Sequence, residues 1–374
     1  MKRMRRYGKV CFVLAVLLIA TNSYAGDVRV KVRGAVGQRY DDNINYAESD
    51  AQNDFITVTT AGINLDFQDK RMQAYLNASI TEELFWDHDE HNNTSERLSV
   101  YLARELSKHE YITISDTFSH TYEPVSFEEE FGRVGGRYSY YRNSFDAGYA
   151  RELTEYFSLQ FGYGNDLDIT SQSDRLDSYV NRLSVDGIYE LSAQTQLLGS
   201  YNYLNRDLDP GSAATINTIS ATVRHNLTEQ LSIEGRAGAD IIDSYNGDVI
   251  TRPLWSLKLT DQVTKRTSTN LAYTQRYSTN PYTSDVFNSW RISTGVDSQL
   301  TRRLKGSANA FYGYGEYNSL AIRDELVGVN AALSYEISKN FRGSVSYSHS
   351  QTISNIDVRE YRKNVIFVGV SADF

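Results

Sequence analysis

The sequence predicts an all-β fold: a transmembrane antiparallel up-and-down β-barrel of eighteen strands, or sixteen if one weak segment is misread as a strand. Three observations predict it. The last eleven residues alternate strictly between apolar and small or polar groups, short turns of one design recur along the chain, and the composition is polar and rich in tyrosine and glycine (28 Tyr, 24 Gly, 4 Pro). A barrel tolerates that polarity because only every second strand residue faces lipid, whereas a helical membrane protein does not.

The alternation is clearest at the end. In residues 364–374, Ile366, Val368, Val370, Ala372 and Phe374 fall on one face, and Phe367, Gly369, Ser371 and Asp373 on the other. A two-residue period is the period of a strand, and a terminal aromatic closing an apolar face is how the last strand of an outer-membrane barrel reads. Ile366, Val368, Val370 and Phe374 are therefore read as the barrel-assembly signal. They imply the barrel-assembly machinery and the lipids of the outer membrane as partners.

The opening residues fit the same compartment. Lys2, Arg3, Arg5, Arg6 and Lys9 precede an apolar run from Cys11 to Ala20, and Ser23-Tyr24-Ala25 offers a small-x-small cleavage site. Ten apolar residues are too few for a bilayer, which needs about 20. Residues 1–25 thus read as a cleaved secretory signal, and residues 26–374 as one barrel domain. The mature chain would contain no cysteine, so neither disulfides nor thiolate chemistry enter its account.

The repeat sets the strand number. Leu106, Leu153, Leu191, Leu227, Val263, Leu300 and Ile337 each open a short polar turn, at spacings of 47, 38, 36, 36, 37 and 37 residues, and an earlier turn covers Gln68 to Arg71. Each interval holds two alternating segments, so the repeat is a chain of hairpins. Between these turns lie longer acid-rich connections at residues 41–53, 87–93, 123–136, 169–175 and 207–213. Short turns at one end and long loops at the other are the asymmetry of outer-membrane barrels, and the even strand count puts both termini on the periplasmic side. Residues 251–261, which carry Pro253, make the weakest strand, since proline gives no ladder hydrogen. Trp86, Tyr163, Tyr203, Trp255, Tyr277, Trp290 and Tyr314 fall near the ends of outward faces, as an interfacial belt requires.

Charge narrows the function. The five signal-peptide cations leave 33 Lys+Arg against 47 Asp+Glu in the mature chain, a formal charge of −14, which argues against nucleic-acid binding. Arginine outnumbers lysine 25 to 8 in that chain. Projection of the strands turns Arg29, Lys31, Arg33, Arg97, Arg142, Arg182, Arg224, Arg236, Arg276, Arg291 and Arg342 into the lumen. There they either grip carboxylates, sulfates or phosphates of a passing molecule or brace the wall against inward acids such as Asp186, Glu234, Asp240 and Asp297. Asp41-Asp42, Glu82-Glu83, Glu128 to Glu130 and Asp324-Glu325 read as loop acids at a solvated, cation-bridged rim. His88 and His91 have an i, i+3 spacing, but no third ligand is fixed beside them by regular structure, so no metal or cofactor is expected. Residues 132–136 lack the Gly-Lys-Ser/Thr ending of a phosphate loop. The six histidines show no nucleophile motif, so no enzyme is expected either.

A resemblance adds a functional expectation. Gly37-Gln38-Arg39-Tyr40-Asp41-Asp42-Asn43-Ile44, the acid-rich loop after it, the strand opening Asp54 to Val58, the hairpin rhythm and the terminal Phe together resemble the outer-membrane β-barrel porins found with exopolysaccharide and capsule synthesis systems, including those associated with PEP-CTERM sorting. The resemblance implies a channel assisting export of an exopolysaccharide or capsular polysaccharide to the surface, with separate periplasmic export components as partners, and it carries no catalytic residue. A general or solute-selective diffusion porin fits the polar lumen equally well. A surface structural or adhesion barrel working through residues 123–136 and the other loops is the reading of another class. If the signal reading is right, the intact mass of the membrane-extracted protein corresponds to a chain starting at Gly26. A mass that retains residues 1–25 overturns it.

Overall fold

The computed structural model describes residues 26–122, 137–171, 176–209, 211–245, 247–280, 285–318 and 320–374. The proposed signal segment and the loop at 123–136 lie outside them. Eighteen strands account for most of the chain: β1 Asp27–Asp41, β2 Asp54–Gln68, β3 Met72–Phe85, β4 Asn93–Ser107, β5 Glu110–Thr121 and β6 Tyr140–Glu152. Then follow β7 Phe157–Thr170, β8 Asp177–Ser192, β9 Thr195–Asp209, β10 Ser212–Asn226, β11 Leu231–Asp243 and β12 Val249–Thr264. The last six are β13 Thr267–Asn280, β14 Asp285–Gln299, β15 Leu304–Tyr317, β16 Arg323–Glu336, β17 Phe341–Ser354 and β18 Tyr361–Asp373. Every strand pairs antiparallel with its sequence neighbours, and β1 pairs with β18 to close the ring. Eighteen strands, not sixteen, is the observed number.

Closure follows from the solvent. An unpaired backbone group in hydrocarbon costs several kcal/mol, so a spanning sheet has no tolerable edge. The seam ladder runs from Arg33↔Asp373 to Asp41↔Val365. Phe374 extends it by exchanging both backbone hydrogen bonds with Val32 at 2.9 Å, while its ring meets Phe341 edge-on at 6.2 Å. On the inner side Phe367 lies over Gly37 and Gly369, where a Cβ would run into its ring. These two glycines allow β1 and β18 to meet with an aromatic ring above them.

The two faces of the sheet are chemically distinct. Val28, Val30 and Val32 on β1, Ile219 and Val223 on β10, and Ile366, Val368 and Val370 on β18 are exposed outward. The opposite face carries ion pairs that reach over an intervening strand, such as Arg39 on β1 to Glu83 on β3 at 2.9 Å, and Arg182 on β8 to Asp146 on β6 at 3.0 Å. Second-neighbour contacts of this kind form on the concave side, which fixes that face as the lumen. Outside, Trp255, Tyr273, Trp290, Tyr312 and Tyr314 adjoin one another across β12 to β15, with neighbouring ring centroids 4.6 to 6.3 Å apart. Such a cluster suits the membrane interface.

Two sequence expectations change, and the weakest predicted strand holds. Residues 207–213 are not a long loop, because β9 runs to Asp209 and β10 starts at Ser212. The weak segment at 251–261 lies inside the sixteen-residue β12, whose ladder to β11 continues past Ala239↔Pro253. The missing N–H therefore belongs on the β13 side, where pairing starts only at Trp255↔Gln275. Above that break the ends of β13 and β14 tuck inside the wall. Tyr277 and Val286 pack against the inward Ile216 and Ile242, and Asp240 accepts the Tyr277 backbone N–H. Tyr277 thus leaves the outer aromatic belt, because the broken ladder frees β13 to cross behind β12.

The closing seam yields a paired test. Gly37→Val forces a side chain into Phe367 and to within 2.8 Å of the Val368 carbonyl, whereas a Cβ on the outward Gly34 meets nothing within 4 Å. Overpacking of the first kind costs about 1–3 kcal/mol. The expected result is a lower melting temperature of the folded band on semi-native gels for Gly37→Val and little change for Gly34→Val. Equal melting of the two variants would remove the seam from this account.

Candidate functional site

The lumen is divided into two sectors. Over β6 to β12 charges answer one another. Arg142 bonds Asp168 at 3.3 Å, Arg182 spans Asp146 and Asp166 at 3.0 and 3.2 Å, and Ser144 donates to Asp166 at 2.6 Å. Arg224 meets Glu234 at 2.6 Å, and Arg236 donates to Ser220 at 3.0 Å. Arg142, Arg182 and Arg224 therefore brace the wall. Half-exposed pairs like these are each worth about 0.2–1 kcal/mol, so they hold side chains in place more than they stabilise the fold.

The other sector, β13 to β17 and on through β2 to β5, is lined mainly by neutral groups, with Arg97, Arg276 and the stacked rings of Tyr75 and Tyr101 (centroids 5.2 Å apart) among them. Thr60 bonds Thr81 at 2.9 Å, Ser99 bonds Thr117 at 3.4 Å, and Asn64 bonds Asn77. Asn270, Asn309, Asn330 and Ser348 stand at one level across β13, β15, β16 and β17. Since β16 and β7 are nine strands apart in a ring of eighteen, the neutral wall faces the braced one.

The remaining sequence-predicted cations occupy separate places. Arg29, Lys31 and Arg33 line the short-turn half of β1. Arg29 stands opposite Asp66, and Arg33 is 3.7 Å from Asp373. Arg342 stands opposite Glu336 near the same end. Arg97 and Arg276 are exposed to the lumen opposite Ser119 and Ser289, while Arg291 lies over the Phe311 ring at 4.3 Å. The structure therefore gathers the predicted arginines into no single cluster. Further cations share the inner face: Arg39, Arg206, Arg252 and Lys363. The same two-residue count that selects Arg33 would have selected Arg39.

The long-loop end narrows. Residues 42–53 bend into the mouth and are fastened by side chains that continue the seam where its backbone ladder stops. Asp42 accepts the backbone and side-chain N–H groups of Asn364 at 2.6 Å each, and Asn43 donates to the Arg362 carbonyl at 2.8 Å. Asn43 also braces the loop internally through Asp41 and Ala47. Ile44 is fully buried against Ile56 and Phe85. Asp41, 1% exposed, meets Lys363 at 2.8 Å, and the Lys363 ammonium sits 3.8 Å from the Tyr46 ring centre. From the neighbouring loop, Arg359 reaches the buried Asp324 and lies over Tyr317. Asp41, Glu83 and Asp324, read from sequence as loop acids, are thus strand residues with buried cationic partners. The tyrosine–aspartate signature serves as a clamp.

At the rim, burial works to raise the Asp54 carboxyl. Hydrogen bonds from the His88 ring and from the backbone N–H groups of Asp87, Trp86 and His88 outweigh it and hold the carboxyl below the usual range. Desolvation, then the Arg137 charge, lowers the His91 ring. His88 is spent on Asp54 at 3.1 Å. Among the described residues no three His, Cys, Asp or Glu side chains converge as metal ligands.

Comparison with known proteins agrees with this architecture. Residues 248–374, covering β12 to β18, match the family described as putative beta-barrel porin 2. Search of the curated proteins gave no match. Among solved structures, the chain is similar to the FrpB iron transporter from Neisseria meningitidis (F5-1 variant), with 8% identity and TM-score 0.51 over 93% of this chain and 83% of that one. It is also similar to the siderophore receptor PirA from Pseudomonas aeruginosa, with 12% identity and TM-score 0.50 over 92% and 80%. At these identities the likeness is one of fold. The protein is an outer-membrane-type barrel with a porin-like carboxy-terminal third.

The clamp predicts a coupled response. Lys363→Met leaves the buried Asp41 carboxylate without its cation and should cost about 3–5 kcal/mol. Adding Asp41→Asn should restore most of the loss, measured as the thermal midpoint of the folded barrel. Strict additivity of the two changes would mean that the pair does not act as a unit.

Proposed function

We propose that this protein is a passive outer-membrane channel for polyhydroxylated molecules, and that its cargo is a surface polysaccharide leaving the cell. The observation that carries the reading is the unequal lumen. On the charged side the arginines are already engaged with aspartates and glutamates, which limits their hold on an anionic cargo. On the neutral side, serine, threonine and asparagine exchange hydrogen bonds with sugar hydroxyls as readily as with water, so a glycan slides along without being trapped. In this reading the short-turn end faces the periplasm, and polymer synthesis at the inner membrane supplies the driving force. The resemblance seen in the sequence points to the same cargo, and the porin-family match supports the broader channel reading.

A diffusion porin for small solutes is the second reading. One observation favours it: the clamped loop at 42–53 and the inward-tucked ends of β13 and β14 both narrow the long-loop end. A deletion strain separates the two. Export predicts less polysaccharide at the surface and more in the periplasm, restored by the wild-type gene. Unchanged surface polymer together with slower uptake of small hydrophilic solutes would instead establish the porin.

A further inference from the structure

The neutral wall contains a built recess at its mid-height asparagines. Between β13 and β16 a cavity of 270 Å³ opens to the lumen, and its lining includes Asn270, Arg291, Ser293, Asn309, Phe311 and Asn330. Two glycines shape it. The Asn309 Oδ1 and Asn270 Nδ2 atoms both overhang Gly295, where a Cβ would stand 2.5 and 2.9 Å from them, and the Phe311 ring lies on Gly328. Asn309 and Asn330 are directly paired across β15 and β16, so their amides repeat at the strand spacing of about 4.8 Å, close to the length of one hexose unit.

From this arrangement we infer that the recess is a saccharide subsite for an uncharged stretch of glycan, with Asn309 and Asn330 as its hydrogen-bonding pair. The inference rests on the channel reading and names the chemistry of its cargo. An amide carries two donors and two acceptor lone pairs on one plane, which matches a pair of adjacent hydroxyls that each donate and accept. No carboxylate lines the recess, so a cation finds no partner there. Its single cation, Arg291, is held over the Phe311 ring at 4.3 Å and is thus engaged within the wall. Ser293 completes the floor with a further hydroxyl. The Asn330 amide has no protein partner among the described residues, and Asn309 is exposed to the lumen.

Saturation-transfer NMR on the full detergent-solubilised barrel tests this, with maltohexaose and cellotetraose as neutral probes. Transfer to the sugar ring protons is expected for the wild type and for Arg182→Gln on the opposite wall. Asn309→Leu combined with Asn330→Leu should bind about tenfold more weakly, as loss of two neutral hydrogen bonds implies. If the double leucine variant does not assemble, Asn309→Ser with Asn330→Ser should show a smaller loss in the same direction. No transfer to either sugar in the wild type, or equal transfer in the asparagine variants, would overturn the subsite. Planar-bilayer conductance of the same preparations reports separately on the channel. A barrel that binds sugar without conducting keeps the subsite and loses the channel, and one that conducts without binding does the reverse.

Discussion

The structure depends on one constraint: in hydrocarbon, every backbone N–H and C=O has to find its partner within the sheet. An open sheet always has two unpaired edges, so the chain has to bring β1 and β18 together. The ladder between Arg33–Asp41 and Val365–Asp373 does this, and much else that is specific about the molecule is arranged around it. Gly37 and Gly369 clear space for Phe367, and Phe374 ties its backbone to Val32. Where the backbone ladder ends, Asp42 and Asn43 continue it with side-chain hydrogen bonds to Asn364 and Arg362 of β18.

Because the wall carries the stability, the interior is relieved of forming a hydrophobic core. Among the described residues, small apolar clusters lie around Ile44, around Ile242 and around Phe311 with Phe287, Tyr317 and Leu326. Elsewhere the lumen is polar, and the two ways of satisfying polar groups are kept apart. Opposite charges neutralise each other on one side, and hydroxyls and amides predominate on the other, beside Arg97, Arg276 and the Tyr75–Tyr101 stack. Over β6 to β12 the strongest polar interactions are thus made within the wall itself.

Pro253 shows how one residue acts at long range. Without its N–H, the upper edge of β12 offers β13 no complete ladder, and β13 with β14 crosses to the inside. Asp240 then accepts the Tyr277 N–H that the ladder would have paired. The sequence marked this segment as weak, and the weakness falls on one edge of β12 only. A hydropathy pattern describes a strand as a whole and cannot separate its two edges, since neighbours on the left and right enter only with the tertiary structure.

The class of fold, the eighteen strands and the position of the eight short turns were legible in the sequence, because each follows from a local rule: side chains alternate along a strand, and turns need polar, flexible residues. What Arg142, Arg182 and Arg224 do in the lumen was not legible, since their partners Asp168, Asp146, Asp166 and Glu234 come from other strands and depend on register. Nor was the role of Asp41 and Asn43, which read as a solvated loop and prove to be a clamp on β18, more than 300 residues away. Local chemistry determined which side each residue faces. Only closure of the ring, which sets strand against strand, decided which residues meet, because contact across a barrel is fixed by register and curvature rather than by proximity in the chain.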